Sequence, residues 1–208
     1  MFVTLEGIDG AGKSTQARLL AERLRADGHH AVTTREPGGA PGAEEIRRLL
    51  VEGNASRWSP ETEILLFTAA RRDHVERTIR PALDAGSVVI CDRFVDSTRA
   101  YQGTGPLRAA VEDLHRLMIG LDPDLTLIFD MDPELGLARA GERATGNAQT
   151  AEDRFESKGL QFQKSLRAAY LDIARTEPER CRVIDASRAI DPIASDAWDA
   201  VSMKLKAS

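Results

Sequence analysis

Gly7-Ile8-Asp9-Gly10-Ala11-Gly12-Lys13-Ser14-Thr15, the stretch GIDGAGKST, decides the fold. It has the Gly-x4-Gly-Lys-Ser spacing of a phosphate-binding loop, and it lies between an apolar run (MFVTLE, 1–6) and a helical pattern. Glycines at 7, 10 and 12 let backbone N–H groups converge on phosphate oxygens without Cβ obstruction. The helix that follows adds its positive end at the same place. Lys13 is placed to reach the β- and γ-phosphates of ATP, and the Ser14 hydroxyl to ligate Mg²⁺. Asp9 is the anomaly, a carboxylate inside a loop built for anions.

Working outward, strand and helix patterns alternate. Residues 12–27 read as a helix with Ala17, Leu20, Ala21 and Leu24 on one stripe, ended by Gly28. HAVTTR (30–35) reads as a strand, EPGGAPG (36–42) as a turn-rich loop and 43–51 as a helix. Pro60 opens a helix expected to stop near Arg80, where Pro81 intrudes. SVVICD (87–92) is a β-branched strand, 107–119 a helix and LTLIFDM (125–131) another strand. Pro133 opens a short helix, GERATGNAQTAED (141–153) breaks the regularity, and a helix covers about 154–176. CRVIDA (181–186) and a last helix complete the series. This order predicts an α/β fold with a parallel sheet covered on both faces and a cleft at the carboxyl ends of its strands.

The 208 residues suit one domain, residues 1–208, and 42% hydrophobic with 29% charged residues reads as globular. A net charge of -5 gives no footprint for nucleic acid. The positive charge is mostly Arg, which suits bidentate recognition of phosphate. Cys91 and Cys181 each sit in or beside a β-like run and read as small core residues of a reducing compartment. The N-terminal run lacks a basic leader, and no stretch approaches a membrane span, so a cytoplasmic location without membrane contact is expected.

Other candidate residues fall at strand ends. Asp92, closing a buried strand, is a carboxylate for Mg²⁺ or its water shell. Arg93 follows it, and Arg35 ends the preceding strand; two guanidiniums at one cleft can clamp a second phosphate. Phe67 and Arg71, four apart on a helix, combine an aromatic plane with a planar donor, a pair suited to a nucleobase. Arg139, Arg143 and Arg154 border the loop-forming stretch, which reads as a lid over about 140–153. The four histidines have no metal-ligand spacing.

Taken together, the stretches EGIDGAGKSTQ, TREPGG, LLFTAARRDHV, CDRFVDSTRAYQG, DPDLTLIFDMDPELGLAR, DRFE and VIDAS closely resemble the bacterial thymidylate kinase family, in family order over about 1–187. The resemblance implies a P-loop nucleoside monophosphate kinase fold: a five-stranded parallel sheet, helices on both faces and a small lid. It implies transfer of the ATP γ-phosphate to dTMP, and a homodimer. Phe67 is then expected to stack on thymine, Arg71 to bond its edge, and Arg35 and Arg93 to hold the acceptor phosphate. Ser97, Thr98 and Gln102 belong to the same acceptor motif, with Thr98 near the base, and Tyr101 crowds the sugar 2′ position. Asp9 is expected at the acceptor's 3′-hydroxyl and nearby Mg²⁺ or water. Because Gly10 leaves the loop without an arginine, the resemblance implies one from the lid, and Arg143 is the first candidate.

Two other classes compete. Another nucleoside monophosphate kinase or a deoxynucleoside kinase shares the fold and loop; a nucleoside acceptor needs a carboxylate base near its 5′-hydroxyl, for which Glu36 is the one tempting residue. A guanine-nucleotide switch needs an Asn-Lys-x-Asp reader, and that tetrapeptide does not occur.

Overall fold

Strand β1 (Phe2–Glu6) is buried along its whole length, as an apolar run in the middle of a covered parallel sheet must be. A computed structural model describes residues 1–53, 57–146 and 159–207, with the backbone alone for 142–146. Four further strands join β1: β2 (Ala31–Arg35), β3 (Val88–Asp92), β4 (Leu125–Asp130) and β5 (Cys181–Asp185). Among the described residues they form one sheet in the order β2-β3-β1-β4-β5, and every pairing is parallel. The two edge strands are partly exposed, unlike the three inside.

The helices are α1 (Lys13–Ala26), α2 (Pro41–Val51), α3 (Pro60–His74), α4 (Arg80–Asp84), α5 (Val95–Tyr101), α6 (Leu107–Leu114), α7 (Pro133–Gly146), α8 (Gly159–Thr176) and α9 (Ile190–Ala207). The pleat sends alternate strand residues into two cores. Val3, Leu5, Val88 and Ile90 pack with Leu20 and Leu24 of α1, Leu166 of α8 and Val201 of α9. Phe2, Val89 and Cys91 face the other way, onto Val75, Ile79, Phe94 and Ile119. The four stripe residues of α1 are all buried. Both cysteines are buried free thiols.

The register sets the active end of the sheet. Leu5 pairs with Asp92, Arg35 with Asp92, and Asp130 with Asp185. The chain leaves β1 to one side for β2 and β3, then crosses to the other for β4 and β5. That reversal opens a crevice beyond the carboxyl end of β1.

Several boundaries differ from the sequence reading. Helix α2 starts at Pro41 rather than Ala43, with proline in the first turn, where its missing N–H costs nothing. Pro81 does not end the third helix. Residues Val75–Ile79 form a π turn in which the Arg80 N–H reaches the Val75 carbonyl, and helical backbone continues to Asp84. The widened turn puts Pro81 in the opening turn of α4, where no donor is missed. The 107–119 helix likewise ends in a π turn, His115–Ile119, closed by Gly120 at φ 56°. Helix α7 runs on to Gly146; Glu142, Arg143 and Ala144 are good helix formers and outweigh the internal Gly136 and Gly141. Helix α5 was not anticipated; seven residues are too few to show a period.

Candidate active site

The loop after β1 turns on glycines at left-handed φ: 81° at Gly10 and 84° at Gly12, the residue that opens α1. A Cβ on Gly10 would sit 2.1 Å from the Gly136 carbonyl oxygen, so α7 packs on the loop too closely for any side chain there. Lys13 is buried and folds back over the loop, its Nζ donating to the carbonyls of Gly7 (3.1 Å) and Ile8 (2.9 Å). Burial, helped by the nearby Arg93 charge, lowers its pKa to about 8. Its hydrogen-bond acceptors here are two neutral carbonyls of the loop.

Ser14 Oγ donates to Asp92 Oδ2 at 2.6 Å, joining the first turn of α1 to the end of β3. A hydroxyl and a carboxylate beside a phosphate cradle are hard oxygen donors that fit Mg²⁺. Among the described residues no group of three or more His, Cys, Asp or Glu could hold a metal.

Arg93 is the centre of the second half. Its backbone is left-handed at φ 71°, the one such non-glycine among the described residues. Its guanidinium forms an ion pair with Asp9 and donates to Gly7 O (3.3 Å), Ser97 Oγ (3.2 Å) and Tyr170 Oη (3.2 Å). It also lies over the Tyr101 ring, 5.3 Å from its centroid. Burial pushes the Tyr101 phenol up, so its hydroxyl stays a neutral donor, 3.5 Å from Asp9 Oδ2.

An open cleft of about 630 Å³ runs from Asp9 and Arg93 past Ser97, Thr98, Tyr101 and Gln102 to Phe67 and Arg71. Arg71 is only 3% exposed. Its Nε donates to Glu36 Oε2 at 2.8 Å, one Nη to Thr98 Oγ1 at 3.0 Å, and its plane lies 5.0 Å from the Phe94 ring centroid. A second cleft of about 570 Å³ is lined by Gly10, Gly12, Lys13, Ser14, Arg35 and Asp92. The two share four residues: Asp9, Glu36, Arg47 and Arg93. The arrangement is a glycine-rich polar cradle and a partly apolar pocket meeting at two acids and two arginines.

A family model described as thymidylate kinase matches residues 5–197. The chain belongs to the thymidylate kinase family. It is 63% identical over 207 residues to a thymidylate kinase of Ruegeria pomeroyi, covering 99% of this chain and 96% of that one. A thymidylate kinase of Caulobacter vibrioides is 56% identical over 209 residues, with 98% and 97% covered. Among solved structures, the crystal structure of thymidylate kinase from Ehrlichia chaffeensis superposes with a TM-score of 0.76 at 35% identity, covering 97% of this chain and 98% of that one. No helix among the described residues is long and apolar enough to cross a membrane.

The fold gathers most of the residues picked from sequence into the two clefts, but not all as expected. Arg35 does not mirror Arg93. Its side chain is 58% exposed, lies 3.6 Å from Glu44 Oε1 and lines only the cradle side. Arg47 lines both clefts instead, bonded to the Pro37 carbonyl at 2.7 Å. Its signal was available: it sits on the stripe of α2 that buries Ala43, Leu50 and Val51. Arg139 donates to the carbonyls of Ala186 (3.1 Å) and Ser187 (3.3 Å), which occupies it at the loop after β5. Arg143 belongs to the last turn of α7; its side chain, Arg154 and residues 147–153 of the expected lid lie outside the described residues. Glu36 is not a free base, since Arg71 and His74 both bond it.

Proposed function

We propose that this chain transfers the γ-phosphoryl group of ATP to dTMP, giving dTDP and ADP, with Mg²⁺. The observation that carries this reading is the junction of the two clefts at Asp9 and Arg93. ATP phosphates take the cradle of Gly7, Ile8, Asp9, Gly10, Ala11, Gly12, Lys13, Ser14 and Thr15, with Lys13 turned from the loop carbonyls to the β- and γ-oxygens. Ser14 and Asp92 would hold Mg²⁺, which supplies charge neutralisation across the donor phosphates. In the other cleft Phe67 stacks on thymine while Arg71 donates to its edge, with Thr98 and Gln102 beside it. Tyr101 excludes a 2′-hydroxyl, and Asp9 accepts from the 3′-hydroxyl. Arg93 and Ser97 receive the acceptor phosphate, with Arg47 and Arg35 adding positive charge.

An oxygen of that phosphate attacks the γ-phosphorus as the bond to the β–γ bridging oxygen breaks. The acceptor is already an anion, so no general base is needed. The chain's part is positioning and neutralisation of crowded negative oxygens. A nucleoside acceptor would need a free carboxylate at its hydroxyl, and Glu36 is committed to Arg71 and His74. A coupled assay of ADP release tests the reading. Turnover is expected to depend on dTMP, and equal turnover in its absence overturns it.

The segment about 140–153 completes the site as a lid, with Arg143 as the arginine that the loop lacks. Arg143→Ala is expected to lower kcat by about a hundredfold, leaving the Kd for dTMP within about twofold. An unchanged kcat transfers the role to Arg139 or Arg154.

The chain works as a cytoplasmic homodimer in this reading. Leu65 of α3 and Leu117 and Met118 of the adjoining π turn are exposed, and Arg72, two helical turns from Leu65, donates to the Met118 carbonyl at 2.7 Å. An apolar surface shared by two packed elements supports self-association. Sedimentation is expected to give one species of twice the chain mass, and a monomer at micromolar concentration overturns it.

A further inference from the structure

Arg93 carries the one left-handed non-glycine backbone among the described residues. Such a conformation is sparsely populated for an L-residue and persists only where surrounding structure over-determines it. Part of the constraint is backbone: the Arg93 N–H donates to the Leu5 carbonyl at 2.9 Å. Another part is the Cys91 thiol, which donates to the Arg93 carbonyl at 3.0 Å. The remainder comes from the side chain just ahead of the phosphate-binding loop. Glu6, the last residue of β1, accepts from the Phe94 N–H at 2.7 Å with one carboxylate oxygen and from Ser97 Oγ at 2.6 Å with the other.

Glu6 thus grips both sides of the turn, the residue after Arg93 and the first turn of α5. It is 0% exposed, and its two hydrogen bonds come from a neutral N–H and a neutral hydroxyl. Burying a carboxylate on neutral donors is costly, and burial with the Asp96 charge raises the Glu6 carboxyl to about 7. A role confined to packing would be met by an apolar or amide side chain. What a carboxylate adds is two acceptor oxygens at once, in a plane fixed by the central strand of the sheet. Ser97 extends the grip, because its Oγ also meets Arg93 Nη1 (3.2 Å) and Tyr170 Oη (3.0 Å).

We infer that Glu6 is a positioning residue for the acceptor phosphate: it holds the Phe94 N–H and the Ser97 hydroxyl so that the Arg93 turn stays left-handed and its guanidinium faces the junction of the two clefts. The inference rests on the proposed role of Arg93 toward dTMP. Glu6→Gln keeps size and one acceptor but sets an NH₂ against a second donor, so the grip is halved.

Calorimetric titration of dTMP into wild type, Glu6→Gln, Arg93→Ala and the double variant separates the possibilities. Glu6→Gln is expected to raise the Kd for dTMP about tenfold and Arg93→Ala about a hundredfold, with the double variant within about twofold of Arg93→Ala, since no guanidinium remains to aim. The affinity of Glu6→Gln for a non-hydrolysable ATP analogue is expected to stay within about twofold of wild type. A full additional loss in the double variant, an equal loss toward the ATP analogue, or no loss in Glu6→Gln overturns the role of Glu6. Unchanged dTMP binding in Arg93→Ala overturns the reading of Arg93 and the inference with it. Should Glu6→Gln fail to fold, the same cycle with Glu6→Asp, which keeps the charge and draws both oxygens back from the Phe94 N–H and the Ser97 hydroxyl, decides, with an expected loss of about tenfold that must also vanish without Arg93.

Discussion

Lys13→Ala is expected to lower kcat about a thousandfold while leaving the fold intact. The ammonium is buried and bonded only to the Gly7 and Ile8 carbonyls among its described hydrogen-bond partners. Those carbonyls belong to a loop that borders an open cleft, so water can replace the lost donor and the stability cost is small. The loss to chemistry is larger. A unit charge about 4 Å from a phosphoryl oxygen is worth about 4 kcal/mol at an effective dielectric near 20, and that energy corresponds to about a thousandfold in rate. Arg93 cannot substitute, because Asp9 and Tyr170 hold it at the junction of the two clefts. Steady-state kinetics with saturating ATP and dTMP checks this, together with a thermal melt. A kcat within about tenfold of wild type would remove Lys13 from the transition state.

The cradle was legible because its chemistry and its period are both local. Glycines at fixed offsets and the stripe Ala17, Leu20, Ala21, Leu24 lie within one turn of the feature they predict, and all four stripe residues are buried. Reading failed where geometry is set at long range. Arg35 and Arg47 are both arginines beside the same loop, and choosing between them requires knowing that α2 turns Arg47 inward while Arg35 meets Glu44 near solvent. Helix α5 escaped because seven residues hold less than two periods, although it carries Ser97, Thr98 and Tyr101. Pro81 was read as a stop because propensity treats proline in isolation; a π turn six residues earlier changes what it interrupts. Glu6 closes the MFVTLE run and carries no local signal of a role of its own. Its importance depends on residues 91 and 88 positions away in the chain.

Arg71→Ala is expected to lower kcat/KM for dTMP by a factor of about 10² to 10³, leave the KM for ATP within about threefold, and reduce the melting temperature. The catalytic part follows from one lost charge-assisted hydrogen bond to the base, worth about 1.5–3 kcal/mol, plus the disorder of the pocket wall that Arg71 supports. That wall is Glu36 on one side and Thr98 on the other. The stability part follows from burial. Glu36 and Arg71 are 4% and 3% exposed at the side chain, so removing the guanidinium leaves a buried carboxylate, a change that costs about 3–5 kcal/mol when nothing replaces the partner. Here His74 Nδ1, 3.2 Å from the other Glu36 oxygen, leaves that carboxylate one remaining partner. The two effects are separable. Arg71→Ala with Glu36→Gln removes the unpaired charge, so it is expected to recover most of the melting temperature and little of the dTMP activity. If restoring stability also restored kcat/KM, Arg71 would be a structural residue of the cleft and the base would be read elsewhere. If ATP were lost in proportion to dTMP, the two clefts would not be the separate acceptor and donor sites we propose.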